Sequence, residues 1–341
     1  WETAAVTSAR KTAPVPILEL DEHQGHVTAI AFSSDGKHLL SGDEFGNVFL
    51  WQLSNGKRIG RYVGPDEVRI NSVLFYANDS KILAASDDFR VYAWNRDPEK
   101  EAQDGPIASQ KRLQHRDSVT AMALISTDQP QLLTVTSGER ENSVLLWNLE
   151  SEADPKRFDD ISDKDTLITG LSVSPNGDRA YVATTADERQ IIYVIDIEKK
   201  TVIDRNSTFG AVWSTAVFST GGNNAILKLA TIGVDHARVW DLPANGRLED
   251  VKLETTLAPH ESVTAAAFSA DGQFVVTGGS NNALKMWKVA DRTSIESLPT
   301  VDNNGKPYHT KGITFVSFAQ VKGINRLLTA SGDGAVILWK W

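Results

Sequence analysis

Tryptophan recurs in this chain at Trp51, Trp94, Trp147, Trp240, Trp287 and Trp339, each time inside a short apolar strand: "NVFLWQL", "RVYAWNR", "SVLLWNL", "ARVWDL", "LKMWKV" and "AVILWKW". A further segment of the same kind, "IIYVIDI", carries Ile195 in the tryptophan's place. Ahead of each lies a second shared shape, an alternating strand that runs into a polar turn and then another apolar strand. "VTAIAFSSDGKHLLSG" from Val27 and "VTAAAFSADGQFVVTGG" from Val263 are examples. Period-2 alternation bounded by Asp, Gly, Asn and Ser marks strands. A unit of 43 to 53 residues holds about four of them, and one such unit cannot bury its own apolar face. Neighbouring units must stack, and seven of them close a ring.

The repeats resemble the WD40 family from about residue 17 to the end of the chain, and "RVWDL" at 238–242 keeps the Trp-Asp pair. The resemblance implies an all-β fold, a seven-bladed β-propeller of four-stranded antiparallel blades. "KRIGRYV" at 57–63, "KRLQH" at 111–115 and "VKLETTLA" at 251–258 read as fourth, outer strands. The last repeat has none, which would leave the apolar strand from Val336 to Trp339 with an open edge. "VPILELDEH" at 15–23, in turn, has no first three strands of its own. The expectation is that Ile17 to Asp21 completes the seventh blade, a closure common in the family. Residues 1–16 are then an arm or linker and residues 17–341 a single propeller. Trp1 stands where a blade tryptophan would precede that strand, which leaves two readings open: another blade array upstream, or coincidence.

The family pattern places a His before the first strand, a Ser or Thr in the second, an Asp in the turn before the third, and the Trp. A chain of hydrogen bonds among them would satisfy the buried indole N–H. Carried onto this sequence, the set in the seventh blade is His309, Thr329 (or Ser331), Asp333 and Trp339. In the third it is His115, Ser137 and Trp147, with Glu141 as the acid. In the sixth it is His260, Thr277 and Trp287, with Asn281 in the acid's place. In the first it is His23, Ser41 and Trp51, with Phe45 standing where the acid is expected. The second and fifth keep Asp88 and Asp235 without a His, and the fourth has neither His nor Trp. Histidines at one repeat position are what scaffolding produces, so these are read as structural and not as general bases or metal ligands.

Composition narrows the function classes. Hydrophobic residues at 41 % and charged residues at 23 % suit a soluble globular chain. The absence of Cys excludes disulfides, thiolate-bound metal and a thiol nucleophile. A net charge of −9, with no basic run longer than Lys199-Lys200, offers no footprint for nucleic acid. No apolar run approaches the roughly 18 residues that span a bilayer, so membrane insertion is not expected. His23 and His26 in "HQGH" lack a third metal ligand nearby, and the acidic stretch at 159–165 lacks the Gly and spacing of a calcium loop. "NST" at 206–208 and "NDS" at 78–80 fit the glycosylation acceptor pattern, which has meaning only in a secreted eukaryotic chain. No phosphate-cradling Gly loop, nucleophile elbow or kinase motif is present, and no cofactor or metal is expected.

What remains is surface. In the family the narrow face binds partners through residues flanking the first strands and the turns before the third. Here that points to His26, Glu44, Arg69, Asp87 and Arg140, with Tyr308 contributed by the 300–312 loop and small polar residues such as Thr28, Asn71, Thr169, Thr264 and Thr314 between them. Arg69 and Arg140 are the residues of the set with hot-spot character and could anchor an acidic segment. The expectation is a non-catalytic scaffold module that binds a protein or peptide. Two alternatives stay open: a propeller enzyme or small-molecule sensor using the central channel, and a sensor domain of a larger multidomain signalling protein. The lack of Cys and the divergent fourth repeat set the expectation of a bacterial source, and the compartment is not indicated.

Overall fold

A computed structural model of the chain describes residues 15–64, 67–97, 101, 106–108, 111–125, 130–161, 166–186, 189–207, 212, 214–219, 227–232, 237–243, 248, 251–257, 262–269, 272–289, 293–302, 304–321 and 324–340. Of the expected N-terminal arm, residues 1–14 lie outside the described residues. The strands form seven sheets, each with its first three strands in sequence order. In blade 1 these are Val27–Phe32, His38–Asp43 and Asn47–Gln52. The second and third strands are buried along most of their length, because neighbouring blades cover both of their faces. In blades 1, 4 and 6 the turns between first and second strands share one chemistry: Ser33, Ser174 and Ser269 each accept the amide of a glycine three residues on. Those glycines, Gly36, Gly177 and Gly272, sit at φ of 64°, 74° and 66°, in the left-handed region that favours glycine.

The ring closes as the sequence predicts, two residues earlier than expected. Val15–Leu20 pairs antiparallel with Val336–Lys340, the last strand of blade 7. Ile17 falls at a bulge in that pairing and is 42 % exposed, while Leu20 is 1 % exposed. Leu20, and not Ile17, is therefore the buried anchor of the closing strand. Blade 1 departs from the four-stranded expectation. Pro106–Ala108, from the connection between the third and outer strands of blade 2, lies parallel to the blade 1 outer strand Lys57–Val63 as a fifth strand. Beside it, Arg96 holds the buried Glu101 carboxylate at 3.0 and 3.2 Å, and Tyr62 donates to the same group.

Burial follows the seams. Each of the seven apolar clusters joins two adjacent blades. Leu40, Leu50, Ile70, Ile82 and Trp94 join blades 1 and 2. Leu20, Leu39, Trp51, Leu328 and Val336 join blades 7 and 1. The contact between chain ends is thus packed like every other seam, which is why no apolar sheet edge is left there.

Candidate partner-binding face

The buried polar groups at the head of each blade come first, because they decide which side chains are free to do anything else. In blade 1, Trp51 Nε1–H donates to Ser41 Oγ at 2.7 Å. Ser41 Oγ lies 2.6 Å from His23 Nε2, and His23 Nδ1 lies 2.8 Å from Asp43 Oδ2. A carboxylate only accepts, so a neutral His23 carries its proton on Nδ1 and accepts the Ser41 hydroxyl at Nε2. Asp43 also accepts the Phe45 and Asn47 amides. Burial pushes its pKa up, but the His23 contact and the Asn47 donors outweigh that and hold it below the usual carboxylate value. The acid of blade 1 is therefore Asp43, two residues before the expected position; Phe45 points outward, 47 % exposed.

Blade 7 repeats the chain: Trp339 Nε1–H to Thr329 Oγ1 at 2.9 Å, and Thr329 to His309 Nε2 at 2.8 Å. Asp333 stands 3.8 Å from His309 Nδ1 and spends its oxygens on the Thr310 amide and hydroxyl and the Ala335 amide. Burial raises the Asp333 pKa and these donors, with His309, lower it well below the ordinary value. In blade 6, Trp287 donates to Thr277 at 3.1 Å; His260 lies outside the described residues, as does Asp235 of blade 5. Trp94 of blade 2 is different: its indole N–H has no partner among the described residues, because Ala84 occupies the hydroxyl position. Asp88 there accepts Arg90 at 2.9 Å and Tyr92.

Blade 3 corrects two expectations. The hydroxyl that bonds Trp147 Nε1 and His115 Nε2, both at 2.9 Å, is Thr134 and not Ser137. In blades 1, 6 and 7 the hydroxyl precedes its Trp by 10 positions, but here by 13, because the intervening turn is longer. Ser137 instead accepts the Ile168 amide of blade 4 at 3.1 Å. Glu141 pairs with Arg157 and not with His115. His115 Nδ1 is satisfied by the Leu113 carbonyl at 3.2 Å, and with no carboxylate beside it burial pushes its pKa down to about 4.

Above these chains lies the face that carries the turns before the third strands. A repeated backbone latch holds it. Glu44, Asp87, Ser137, Ser280 and Gly332 each donate their amide, at 3.1 Å, to the carbonyl of the residue just before the first strand of the same blade. The small polar residues expected to meet a partner are spent on the seams. Asn71 donates to the Val119 carbonyl at 3.2 Å, Thr169 to Val212 at 2.8 Å, Thr264 to Ile313 at 2.6 Å and Thr314 to Val27 at 2.8 Å. Thr28 donates likewise to Ile70. Thr314 thereby ties blade 7 to blade 1 across the chain ends.

The candidate contact residues divide accordingly. Asp87 is exposed but accepts Asn71 at 2.6 Å and Ser118. His26 lies 3.8 Å from Glu44 on one side and 3.5 Å from Lys311 on the other, and Glu44 also accepts the His26 amide at 2.8 Å. His23 and His26 therefore serve separate networks. Tyr308 is not on the face: it packs edge-on to Trp339, with ring centroids 5.2 Å apart, in the seam with blade 6. Arg69 is exposed, and Arg140 lies with Cζ 5.3 Å from the centroid of the Phe89 ring. Phe45 and Leu167, at 47 % and 52 % exposure, add apolar surface; Leu167 is one of the positions flanking a first strand, and Phe45 stands in the turn before a third strand.

The WD domain, G-beta repeat family matches residues 14–52 and 251–288, the stretches that contain Trp51 and Trp287. Both matched stretches are WD40 repeats. The propeller is similar in fold to the Cps50 (Swd1) β-propeller domain of Myceliophteria thermophila, with a TM-score of 0.72, 17 % identity and coverage of 95 % of this chain and 100 % of that one. It is 32 % identical over 128 residues to the Set1 complex component swd1 of Schizosaccharomyces pombe, which covers 36 % of this chain and 32 % of that protein. It is 26 % identical over 301 residues to the small ribosomal subunit protein RACK1y of Oryza sativa, over 84 % and 83 % of the two chains. The chain spans 20 %, 24 % and 47 % of the curated relatives it matches first. The bacterial source expected from composition is not supported, since these relatives are eukaryotic. Among the described residues no helix is long and apolar enough to cross a membrane.

Proposed function

We propose that this propeller is a non-catalytic scaffold module that binds a protein partner on its narrow face, over blades 1 to 4. The observation that carries the reading is the division of labour on that face. Backbone latches and seam hydroxyls consume its small polar groups, while Phe45, Arg69, Phe89, Arg140 and Leu167 stand above a framework that cannot readily rearrange. Aromatic residues and arginine on a rigid base are the composition of an interface hot spot, and little ordering entropy is lost when such a base is engaged. The relatives support the same reading, since they include the Set1 complex component swd1 and a small ribosomal subunit protein. Against a channel enzyme stand the histidines: His23, His115 and His309 are each bonded to a blade hydroxyl.

The test is affinity capture on the immobilised propeller with mass-spectrometric identification, run beside a Phe45→Ala/Arg69→Glu variant whose fold is checked by circular dichroism. A partner held by the wild type and lost by the variant supports the face. A partner held equally by both removes it.

A further inference from the structure

The seam between blades 2 and 3 is incomplete at the rim. The outer strand of blade 3, Lys156–Arg157, pairs only with Leu145 and Leu146, whereas the other blades pair theirs over four to six residues. Trp147 is half-buried, as is Trp287 of blade 6, whereas Trp51, Trp94 and Trp339 are 1, 1 and 0 % exposed. A cavity of about 950 Å³ opens here, with Leu145 and Trp147 as its apolar lining. That volume is at the upper end of what binding pockets occupy.

Its charge is opposite to that of the molecule. The lining carries three guanidinium groups, Arg116, Arg140 and Arg157, against one carboxylate, Glu141, in a chain of net charge −9. Arg157 holds Glu141 and also reaches Asp159 at 2.8 Å. Arg116 stands 3.7 Å from Glu141 with its side chain 84 % exposed. Arg140 makes no side-chain ion pair among the described residues and rests on Phe89. Asp117, beside the lining, spends its oxygens on the Ser118, Arg140 and Glu141 amides and makes no side-chain ion pair with these arginines among the described residues.

We infer that this rim cavity is a docking site for an acidic peptide segment of a partner protein, with one apolar side chain seated on Trp147 and flanking carboxylates held by Arg116 and Arg140. Guanidinium forks match carboxylates bidentately, and an aromatic floor takes a large apolar side chain. A peptide chain carries both features at fixed spacing, which is what the lining demands. The site borders the face described above and shares Arg140 with it, but it is argued from the cavity lining and does not rest on that reading.

The experiment uses fluorescein-labelled heptapeptides with a central Phe or Ser between two runs of glutamate, and a lysine counterpart, titrated by fluorescence anisotropy. The central-Phe acidic peptide is expected to saturate below about 1 mM and to bind on the order of tenfold more tightly than the Ser peptide. Arg116→Glu and Arg140→Glu are each expected to weaken it by about tenfold and to flatten its salt dependence. Pro155→Trp fills the cavity from its half-buried lining and is expected to abolish binding with melting unchanged, while Phe45→Ala/Arg69→Glu leaves binding intact. No saturable binding by the wild type overturns the proposal. So does equal binding of the lysine peptide, indifference to Pro155→Trp, or loss in the Phe45→Ala/Arg69→Glu variant, which would place the peptide on the face.

Discussion

Trp51 and Trp94 form a matched pair in which one hydrogen bond differs. Both side chains are 1 % exposed and both sit in seam cores next to other aromatic rings. Replacing either with Phe keeps an aromatic ring and removes similar volume, at about 1–2 kcal/mol for the partial truncation. Trp51→Phe also loses the bond to Ser41, about 0.5–1.5 kcal/mol net, for a total of about 1.5–3.5 kcal/mol. Trp94→Phe removes an indole N–H that has no partner among the described residues. Relief of a buried unpaired donor is worth about 1–3 kcal/mol and offsets the truncation, leaving a net change near zero. The two variants should therefore differ by about 2–4 kcal/mol. An unfolding entropy of about 2.1 cal/mol/K per residue over 341 residues makes that a Tm gap of about 3–6 °C. Urea and thermal unfolding followed by far-ultraviolet circular dichroism measure it without relying on tryptophan emission. A Trp94→Phe variant as destabilised as Trp51→Phe, or more so, would refute the hydrogen-bond reasoning.

Three further outcomes are expected. Leu20→Ala should cost about 2–4 kcal/mol and lower Tm by several degrees, while Ile17→Ala, at the exposed bulge, should stay within about 0.5 kcal/mol; equal effects would mean a different register for the closing strand. Thr314→Val should cost about 1–3 kcal/mol, because the Val27 carbonyl loses its donor at the seam of the chain ends, and urea midpoints with unchanged m-values check it. His115 has a folded pKa lowered by burial from 6.5 to about 4, so the folded state binds fewer protons than the unfolded. Its contribution is complete above about pH 6.5 and is lost as pH falls toward 4, by an amount on the order of 3 kcal/mol. His115→Gln should flatten stability against pH across that window, and an unchanged slope would show that another group governs it.

Periodicity carried the architecture. Each blade's first three strands are local hairpins, so the alternation of apolar residues and the Ser, Asn, Asp and Gly turns specify them without reference to the rest of the chain. The orphan strand at the N-terminus and the missing one at the C-terminus named each other for the same reason, and the Trp register located the blade heads. What counting along the chain could not reach were contacts between segments. Thr134 replaced Ser137 because a longer turn moved the hydroxyl in sequence but not in space. Asp43 replaced the acid missing at Phe45 because a carboxylate two residues away reaches the same imidazole. Thr28, Asn71, Thr169, Thr264 and Thr314 looked like surface until neighbouring blades supplied the carbonyls they bond, and Tyr308 looked like surface until Trp339 covered it. The fifth strand of blade 1 and the cavity at the rim of blade 3 depend on how connections of unequal length settle against adjacent blades. The sequence by itself determined the ring and its count of blades; only the tertiary structure decided which polar groups the ring consumes and which it leaves to face a partner, because hydrogen bonds and packing across a seam are set by distance in space and not by position in the repeat.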